Sequence, residues 1–359
     1  MEMKIEELRS KVGEVRVPEL GGTLAELKML KRVESAGDSA VTVELELPTP
    51  AYPGREQLQQ TVQQAVKEVW PEVEQVEVQL SHKVAANQND EKNQKLGLKV
   101  KNVIAVGSGK GGVGKSMVSA ALALGLQQFG AKVGLLDADV YGPSVPHLLG
   151  VQANPSVVEF QTPDGQTVHK LKPIEFLGLE VLSIGFLIQE HQAVIWRGPM
   201  LHSAMTQFLK DTAWSELDYL IIDLPPGTGD VSISLSQLVS LSGAVVVCTP
   251  QKLALLDAVK AVTMFRQVNV PVLGMVENMS GELFGRGGTR AKAEELNVPF
   301  LGEIPTLPEI RVKCDEGRIS ELFDPDSPAR EPLLQVCQQV ALQAARQALS
   351  SHTAKSFEV

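Results

Sequence analysis

The sequence has few aromatic residues, an excess of acidic side chains and no long apolar run. Aromatic residues make up 4% of the 359 residues, which argues against a surface that stacks the bases of single-stranded nucleic acid. The formal net charge of −10 argues against broad binding to DNA or anionic membranes, since both need basic patches. No apolar run approaches the length of a membrane-spanning helix, and residues 1–11 alternate charges where a signal peptide needs an apolar stretch. We therefore expect a cytoplasmic protein with neither nucleic acid nor membrane as a partner.

Cysteine is also scarce, and its spacing excludes the usual cysteine-based sites. The three cysteines, Cys248, Cys314 and Cys337, lie far apart in sequence and form no CxxC pair. A disulfide framework or a CxxC metal site is therefore not predicted, and the residues are interpreted as separate reduced thiols. Cys248 falls in an apolar strand and is expected in the core. Cys314 is expected to be a free thiol in a loop.

The composition is that of an ordinary globular protein with two or three domains. Hydrophobic residues make up 43% and charged residues 21%. Residues 84–99 are polar, rich in Asn, Gln and Lys, and follow neither secondary-structure period, which predicts a linker. It separates a small α/β module, residues 1–83, from a larger domain, residues 100–359. The predicted elements of the module are helices over 5–12 and 55–70 and strands over 41–47 and 73–80.

Apolar strand candidates alternate with segments of helical composition from residue 103 onward. Strands that are apolar throughout, joined by crossover helices, predict a parallel sheet covered on both faces. The predicted fold class is therefore α/β, a doubly wound and mostly parallel sheet preceded by the small module. A final helix is predicted over 332–349 and is expected to pack on this domain. The predicted strands are 103–106, 133–136, 219–222, 244–248, 272–276 and 300–304.

The most informative pattern is a glycine-rich loop between a predicted strand, 103–106, and a predicted helix, 117–129. It satisfies the phosphate-loop pattern GxxxxGK[ST], in which glycines let backbone N–H groups turn inward on the β-phosphate. Lys115 is predicted to neutralise the β- and γ-phosphate oxygens, and the Ser116 hydroxyl to bind Mg²⁺. A surface turn that binds nothing is the alternative, and the flanking strand and helix argue against it. The predicted nucleotide-binding residues of the loop are Gly109, Lys110, Gly111, Gly112, Val113, Gly114, Lys115 and Ser116.

Three aspartates follow predicted strands of this domain. Asp137 and Asp139 come directly after the strand 133–136, and Asp223 follows the strand 219–222. Ligands of open α/β sheets bind beyond the carboxyl ends of the strands, where these side chains fall. An apolar strand that ends in aspartate is a Walker B pattern, whose carboxylate holds Mg²⁺ directly or through water. A helix cap and a solvated turn are the alternative for the first two aspartates.

Several motifs taken together resemble one family. They are, in chain order, GKGGVGKS, LLDADVYGPSVPHLLG, WRGPM, IIDLPPGTGD, VENMS and LGEIP. The set resembles the Mrp/ApbC-type ATPases, the iron–sulfur cluster carriers of the deviant Walker A class. Through PELGGTLAEL and LPTPAYPGREQL, the first module resembles the small domain, related to a cytosolic iron–sulfur assembly factor (MIP18-like), that often precedes that ATPase. The resemblance covers nearly the whole chain.

The resemblance implies a slow ATPase, which converts ATP and water to ADP and phosphate in an ATP-sandwich homodimer. The extra lysine of the loop, Lys110, is implied to reach across the interface to the nucleotide of the partner subunit. Asp139 is implied to orient the attacking water, and Asp137 and Asp223 to support Mg²⁺. Asn278 is implied to contact adenine, with a strand cap as the alternative. The implied catalytic residues are Lys110, Lys115 and Asp139, and the implied cofactors are ATP and Mg²⁺.

The chain departs from the family where cluster ligands are expected. Such carriers hold a bridging cluster with one CxxC pair from each subunit, shortly after the ENMS segment; here that segment runs almost at once into GELFGRGG, and both cysteines are missing. In the first module, Tyr52 stands where relatives commonly have cysteine and Val17 where they have aspartate. Because a labile cluster ordinarily takes four thiolates, the iron–sulfur ligands of this chain are unknown.

Two functions follow from these observations. The first is an ATP-hydrolysing carrier that binds and transfers iron–sulfur clusters to apoproteins, with ligands supplied by a partner protein. The partners that the resemblance implies are an iron–sulfur scaffold or apoprotein clients. The second is an ATP-switched scaffold or regulatory dimer that carries no cluster itself. A ParA- or MinD-like positioning ATPase fits the loop, but not the acidic charge or the lack of a basic amphipathic tail.

Overall fold

The computed structural model describes residues 2–35, 39–87, 91–161, 167–186, 198–227 and 230–355. Its contacts divide the chain into two compact units, one of Met1–Ala86 with Ala341–Val359 and one of Asn87–Val340. The predicted boundaries, 1–83, 84–99 and 100–359, stay a prediction, although the contacts group the end of the chain with the first unit. Trp196 of the WRGPM motif, and Thr228 and Gly229 of the Pro-Pro-Gly-Thr-Gly turn, lie outside the described residues.

The first unit is built on a three-stranded sheet. Its elements are α1 (Glu2–Gly13), β1 (Arg16–Val17), β2 (Gly22–Thr23), β3 (Leu30–Ser35), β4 (Ala40–Leu47), α2 (Arg55–Val69) and β5 (Gln75–His82). The central strand β4 pairs antiparallel with β3 and parallel with β5. Its residues alternate between buried and half-buried positions, as the apolar alternation of the sequence predicts. The core of this unit also contains Leu342, from the end of the chain.

The second unit begins within the predicted linker and contains the large sheet. Its elements are α3 (Glu91–Lys95), β6 (Val100–Gly107), α4 (Lys115–Gln128), β7 (Val133–Asp137), α5 (Val145–Leu149), β8 (Ser156–Gln161), β9 (Thr167–Lys172), β10 (Ile174–Phe176), β11 (Leu179–Ser183), α6 (Gly198–Lys210), β12 (Leu217–Asp223), α7 (Asp230–Leu238), β13 (Gly243–Cys248), α8 (Lys252–Gln267), β14 (Val272–Ser280), α9 (Gly288–Glu295), β15 (Phe300–Pro305), α10 (Pro308–Asp315) and α11 (Arg330–Lys355). Short 3₁₀ turns lie at Ile184–Phe186 and Ile319–Phe323. Helix α11 starts in this unit, and its residues from Ala341 onward group with the first unit.

Eight strands of the described residues form one sheet, in the order β10-β11-β7-β12-β6-β13-β14-β15. Neighbouring strands are parallel except for the edge strand β10, which pairs antiparallel with β11. Every residue of β7 and β13 is buried. Because successive side chains point to opposite faces, both faces of these strands are covered. The predicted α/β fold with a mostly parallel sheet is confirmed.

Several features differ from the sequence-based expectation, and one is Cys314, for which a loop is predicted but which lies in helix α10. The segment 84–99 contains the short helix α3, whose Asn93 is buried and exchanges hydrogen bonds with Ser240 through its amide group. Most of the described polar side chains of this segment are exposed, and the buried Asn93 has hydrogen-bond partners for its amide. The hairpin β8–β9 and the strands β10 and β11 have no counterpart among the predicted strands. Among the described residues, no helix combines the length and the apolar composition that crossing a membrane requires.

Candidate nucleotide and magnesium site

The predicted phosphate loop connects β6, at the centre of the sheet, to the first turn of α4. Gly112 and Gly114 adopt φ of 79° and 81°, a region that side-chain-bearing residues rarely enter. The loop ends where the helix begins, which is the placement of an anion site formed by backbone N–H groups at a helix N-terminus. It forms one wall of a cavity of about 330 Å³. That volume is within the range of small-molecule sites.

Lys115 and Ser116 line this cavity, and both bond to the buried Asp223. The Lys115 ammonium donates to Asp223 Oδ1 at 2.8 Å, and the Ser116 hydroxyl donates to Asp223 Oδ2 at 2.6 Å. Asp223 ends β12, the strand next to β6, and is fully buried. A buried carboxylate needs partners of this kind because an unpaired charge in the interior is costly. The structure thus brings Lys115, Ser116 and Asp223 together, and their roles toward nucleotide and Mg²⁺ stay a prediction.

A further partner of Asp223, Ser119, was missed from the sequence. The hydroxyl of Ser119 lies 2.6 Å from Asp223 Oδ1, and its side chain is fully buried. Ser119 follows Ser116 by three residues in α4, which places both hydroxyls on one face of the helix. That spacing is the signal that could have identified it.

Asp137 lies beside Asp223 at the carboxyl ends of neighbouring strands. The two residues are paired in the register of β7 and β12, and Asp137 is fully buried. Its carboxylate accepts hydrogen bonds from the Ser183 hydroxyl and from the backbone N–H groups of Asp139 and Val145. Burial, followed by the negative charge of Asp223, raises the pKa of Asp137 above its usual range. Two adjacent buried carboxylates are the arrangement that a cation stabilises.

Asp139 faces the cavity two residues further on. Its carboxylate accepts the backbone N–H groups of Tyr141 and Gly142, each at 3.3 Å, and lies 3.8 Å from the Lys115 ammonium. Burial raises the pKa of Asp139, and the charge of Lys115 opposes that shift. Lys110 is half-buried and also lines the cavity. The structure thus brings Lys110, Lys115 and Asp139 to one cavity.

Asn278 lies on the loop rather than free in the cavity. Its side-chain amide donates to the Val113 carbonyl at 2.8 Å, and the residue is buried near the end of β14. The preceding residue, Glu277, is fully buried and accepts the backbone N–H groups of Gly287 and Thr289, both at 2.7 Å. The end of β14 therefore holds the phosphate loop through Asn278 and the start of α9 through Glu277. Adenine contact by Asn278 stays a prediction.

The cysteines do not assemble a metal site. Cys248 and Cys337 are buried, while Cys314 is partly exposed and lines the nucleotide cavity. Within the described ranges, no group of three or more His, Cys, Asp or Glu side chains is placed to hold a metal ion. After β14, Gly281 and Gly285 exchange backbone hydrogen bonds, so the segment that follows ENMS is a tight turn. In the first unit, Tyr52 is buried and its hydroxyl donates to Glu19 at 3.3 Å.

A parallel sheet, a phosphate loop at a helix N-terminus and a strand-end aspartate bonded to the loop serine define a P-loop NTPase. The profile of the NUBPL iron-transfer P-loop NTPase family matches residues 99–341, and the profile named iron-sulfur cluster assembly protein matches residues 5–78. The chain belongs to the NUBPL iron-transfer P-loop NTPase family. The resemblance inferred from the motifs is confirmed.

Individual relatives agree with this assignment. The chain is 47% identical over 347 residues to a protein of Deinococcus radiodurans named iron-sulfur cluster carrier protein, with 94% of each chain covered. It is 44% identical over 334 residues to a protein of Haemophilus influenzae with the same name, with 90% of this chain and 88% of the other covered. A nucleotide-binding protein of Archaeoglobus fulgidus, solved in complex with ADP, is 39% identical with a TM-score of 0.55. That match covers 66% of this chain and 95% of the other.

Proposed function

We propose that this chain is a cytoplasmic, Mg²⁺-dependent ATPase that works as a homodimer in the transfer of iron–sulfur clusters to apoproteins. The observation that carries the ATPase part is the contact of Lys115 and Ser116, which line the cavity, with the buried Asp223. The cluster-transfer part rests on the names of the relatives at 44% and 47% identity. In this proposal the cluster is the substrate, the apoprotein is the client that receives it, and ATP hydrolysis supplies the free energy.

The site residues fit Mg²⁺. Magnesium prefers hard oxygen ligands, and the Ser116 hydroxyl and Asp223 carboxylate, 2.6 Å apart, present them at one point. Ser116 and Asp223 would hold the ion, with Asp137 supporting it from the next strand. Bound there, Mg²⁺ neutralises charge on the β- and γ-phosphate oxygens.

The protein groups account for the remaining requirements of phosphoryl transfer. The loop N–H groups and the Lys115 ammonium hold the phosphates, and Asp139 orients the water that attacks the γ-phosphorus. The bond from that phosphorus to the β–γ bridging oxygen breaks, which releases ADP and phosphate. Because the transition state is stabilised mainly by position and charge, the contacts of Asp139 with Tyr141 and Gly142, which fix its orientation, support this role.

Replacing Lys115 tests the ATPase proposal. K115A is expected to lower ATP turnover by at least about a hundredfold, because it removes a preorganised charge from the phosphates. The measurement is phosphate release together with ATP binding by calorimetry. K132A is a matched control, since Lys132 is exposed and precedes the amino end of β7, whereas the site lies at the carboxyl ends of the strands. Equal turnover in the wild type and in K115A would refute the assignment.

An ATP-switched scaffold that carries no cluster is a second candidate, and the burial of the cysteines favours it. Cys248 and Cys337 are 1% exposed each, which leaves Cys314 as the accessible thiol. Cluster iron ordinarily takes four thiolates, so a homodimer that offers Cys314 twice falls short.

Anaerobic reconstitution with iron and sulfide separates the two candidates. Thiolate-to-iron absorption with stoichiometric iron, lost in C314S, would support a carrier that uses this cysteine. Absence of both signals in the wild type would exclude autonomous cluster binding and support the scaffold. C248S serves as the control, because a buried thiol bonded to Thr289 should not contribute to either signal.

A further inference from the structure

Two helices form the wall of the cavity that faces the phosphate loop. Helix α5 and the residue before it contribute Ser144, His147 and Leu148, and the end of α10 contributes Cys314 and Asp315. Helix α5 follows the loop that carries Asp139, whereas α10 follows the last strand of the sheet. The wall therefore joins a segment at the phosphate end of the site to one that is distant in sequence.

A glycine with a left-handed conformation lies at or just after the end of each helix. Gly150 ends α5 with φ of 65°, and the N–H of Val151 donates to the Pro146 carbonyl at 3.0 Å. Gly317 follows α10 with φ of 70°, and the N–H of Arg318 donates to the Lys313 carbonyl at 2.8 Å. These bonds close the helix ends in the manner of a glycine C-cap.

The two glycines lie against each other, backbone to backbone. A Cβ added to Gly150 would lie 2.5 Å from the carbonyl oxygen of Gly317. A Cβ added to Gly317 would lie 2.7 Å from Gly150 Cα and 2.9 Å from the His147 carbonyl oxygen. No flexible side chain separates the two caps that could move aside, so displacement of one helix end must displace the other.

We propose that Gly150 and Gly317 form a joint that makes the Asp139 loop and the end of α10 close on the nucleotide together. The joint rests on the proposed ATPase function and deepens it. The two glycines are positioning residues, since they touch each other and no reacting atom. Through this joint, closure of the Asp139 loop over phosphates held by the phosphate loop brings Cys314 and Asp315 against the remainder of the nucleotide. The joint therefore favours a complete nucleotide over a bare polyphosphate chain.

Alanine at either glycine tests the joint, with G97A as the matched control. Gly97 has φ of 71° but nothing within 4 Å of an added Cβ, so G97A carries the backbone strain without the collision. G150A and G317A are expected to bind ATP about tenfold more weakly, which corresponds to about 1.4 kcal/mol. Their affinity for tripolyphosphate with Mg²⁺ should be kept, because the phosphate loop is unchanged. A role confined to stability would leave both affinities of the folded protein unaltered.

A measurement on the wild type keeps the proposal testable even if the variants fail to fold. Tripolyphosphate with Mg²⁺ reaches the phosphate loop and Asp139 but has no base or sugar to touch α10. Amide hydrogen exchange over residues 313–318 should slow when this probe binds. Unchanged exchange over residues 313–318 would overturn the proposal of a joint. Equal ATP affinity in G150A, G317A and G97A would also overturn it. A wild type that binds neither ATP nor tripolyphosphate would instead overturn the proposed function.

Discussion

At the scale of single residues, Cys314 is the thiol whose chemistry the cavity controls. Burial, together with the negative charge of Asp315, raises the pKa of Cys314 to about 11. The thiolate is both the nucleophile and the metal ligand. A thiol with a raised pKa therefore reacts slowly near neutral pH and binds a metal less readily, because it must lose its proton first. The neighbourhood of Cys314 therefore favours a structural part of the nucleotide wall over a cluster ligand.

This raised pKa predicts a pH-dependent labelling rate. Below a pKa near 11 the thiolate fraction rises about tenfold per pH unit. The rate of alkylation of Cys314 by iodoacetamide should therefore rise about tenfold for each pH unit between pH 7 and pH 9. Site-resolved mass spectrometry measures the rate, and Cys337, which is fully buried, is the internal control. D315N should label faster than the wild type, because it removes the charge that raises the pKa. A rate independent of pH would contradict this environment.

At the scale of secondary-structure elements, burial decided what the sequence could predict. Strands such as β7 and β13 are buried along their whole length and appear in the sequence as continuous apolar runs. The hairpin β8–β9 is mostly exposed and is held by strand pairing, so its sequence has no apolar run to indicate it. Strand β10 has three residues at the edge of the sheet, too few to show a period.

The same division applies to the candidate site. The phosphate loop and the strand-end aspartates could be located because glycine spacing and the ends of parallel strands carry the information in local sequence. The contact between Gly150 and Gly317 joins residues far apart in the chain. Such tertiary approaches leave no local pattern, so the wall of the cavity opposite the loop could not be predicted.

The packing of α4 against α11 gives a prediction at this scale. A Cβ added to Gly125 of α4 would lie 2.4 Å from Cys337 Sγ and 3.2 Å from the Phe323 ring. G125A should lower the free energy of unfolding by about 1–3 kcal/mol, since overpacking outweighs the helix propensity that alanine gains. Adding C337A to G125A should restore most of the loss. Urea unfolding measures both changes. If G125A were more stable than the wild type, the gain in helix propensity would outweigh the overpacking, and the prediction would be wrong.

At the scale of the whole molecule, the proposed dimer makes one subunit complete the site of the other. Lys110 lines the cavity without taking part in the cluster of Lys115, Ser116 and Asp223. K110A should therefore bind ATP and fail to hydrolyse it, while K115A fails to hold the phosphates. In a mixed dimer, the nucleotide held by the K110A subunit would still meet the intact Lys110 of the K115A subunit.

Mixing the two inactive variants tests this arrangement. Random pairing makes half of the dimers mixed, each with one complete site, so turnover should recover to about a quarter of the wild-type value. Phosphate release at rising ratios of the two variants measures the recovery. K110A mixed with the double variant K110A/K115A is the control and should stay inactive. If turnover did not recover in the first mixture, in a preparation shown to contain mixed dimers, the result would contradict the cross-subunit role of Lys110.

The discontinuous core of the first unit has a consequence for the order of folding. Leu342 of α11 is 4% exposed and belongs to the same core as Val43 and Val62, about 280 to 300 positions earlier in the chain. A ribosome releases the chain from its N-terminus, and domains generally fold as units as they emerge. The strands and helices of residues 1–86 are therefore synthesised before α11, yet their core is complete only when α11 has been synthesised. In the nascent chain, the core of the first unit is therefore completed only after the second unit has been synthesised.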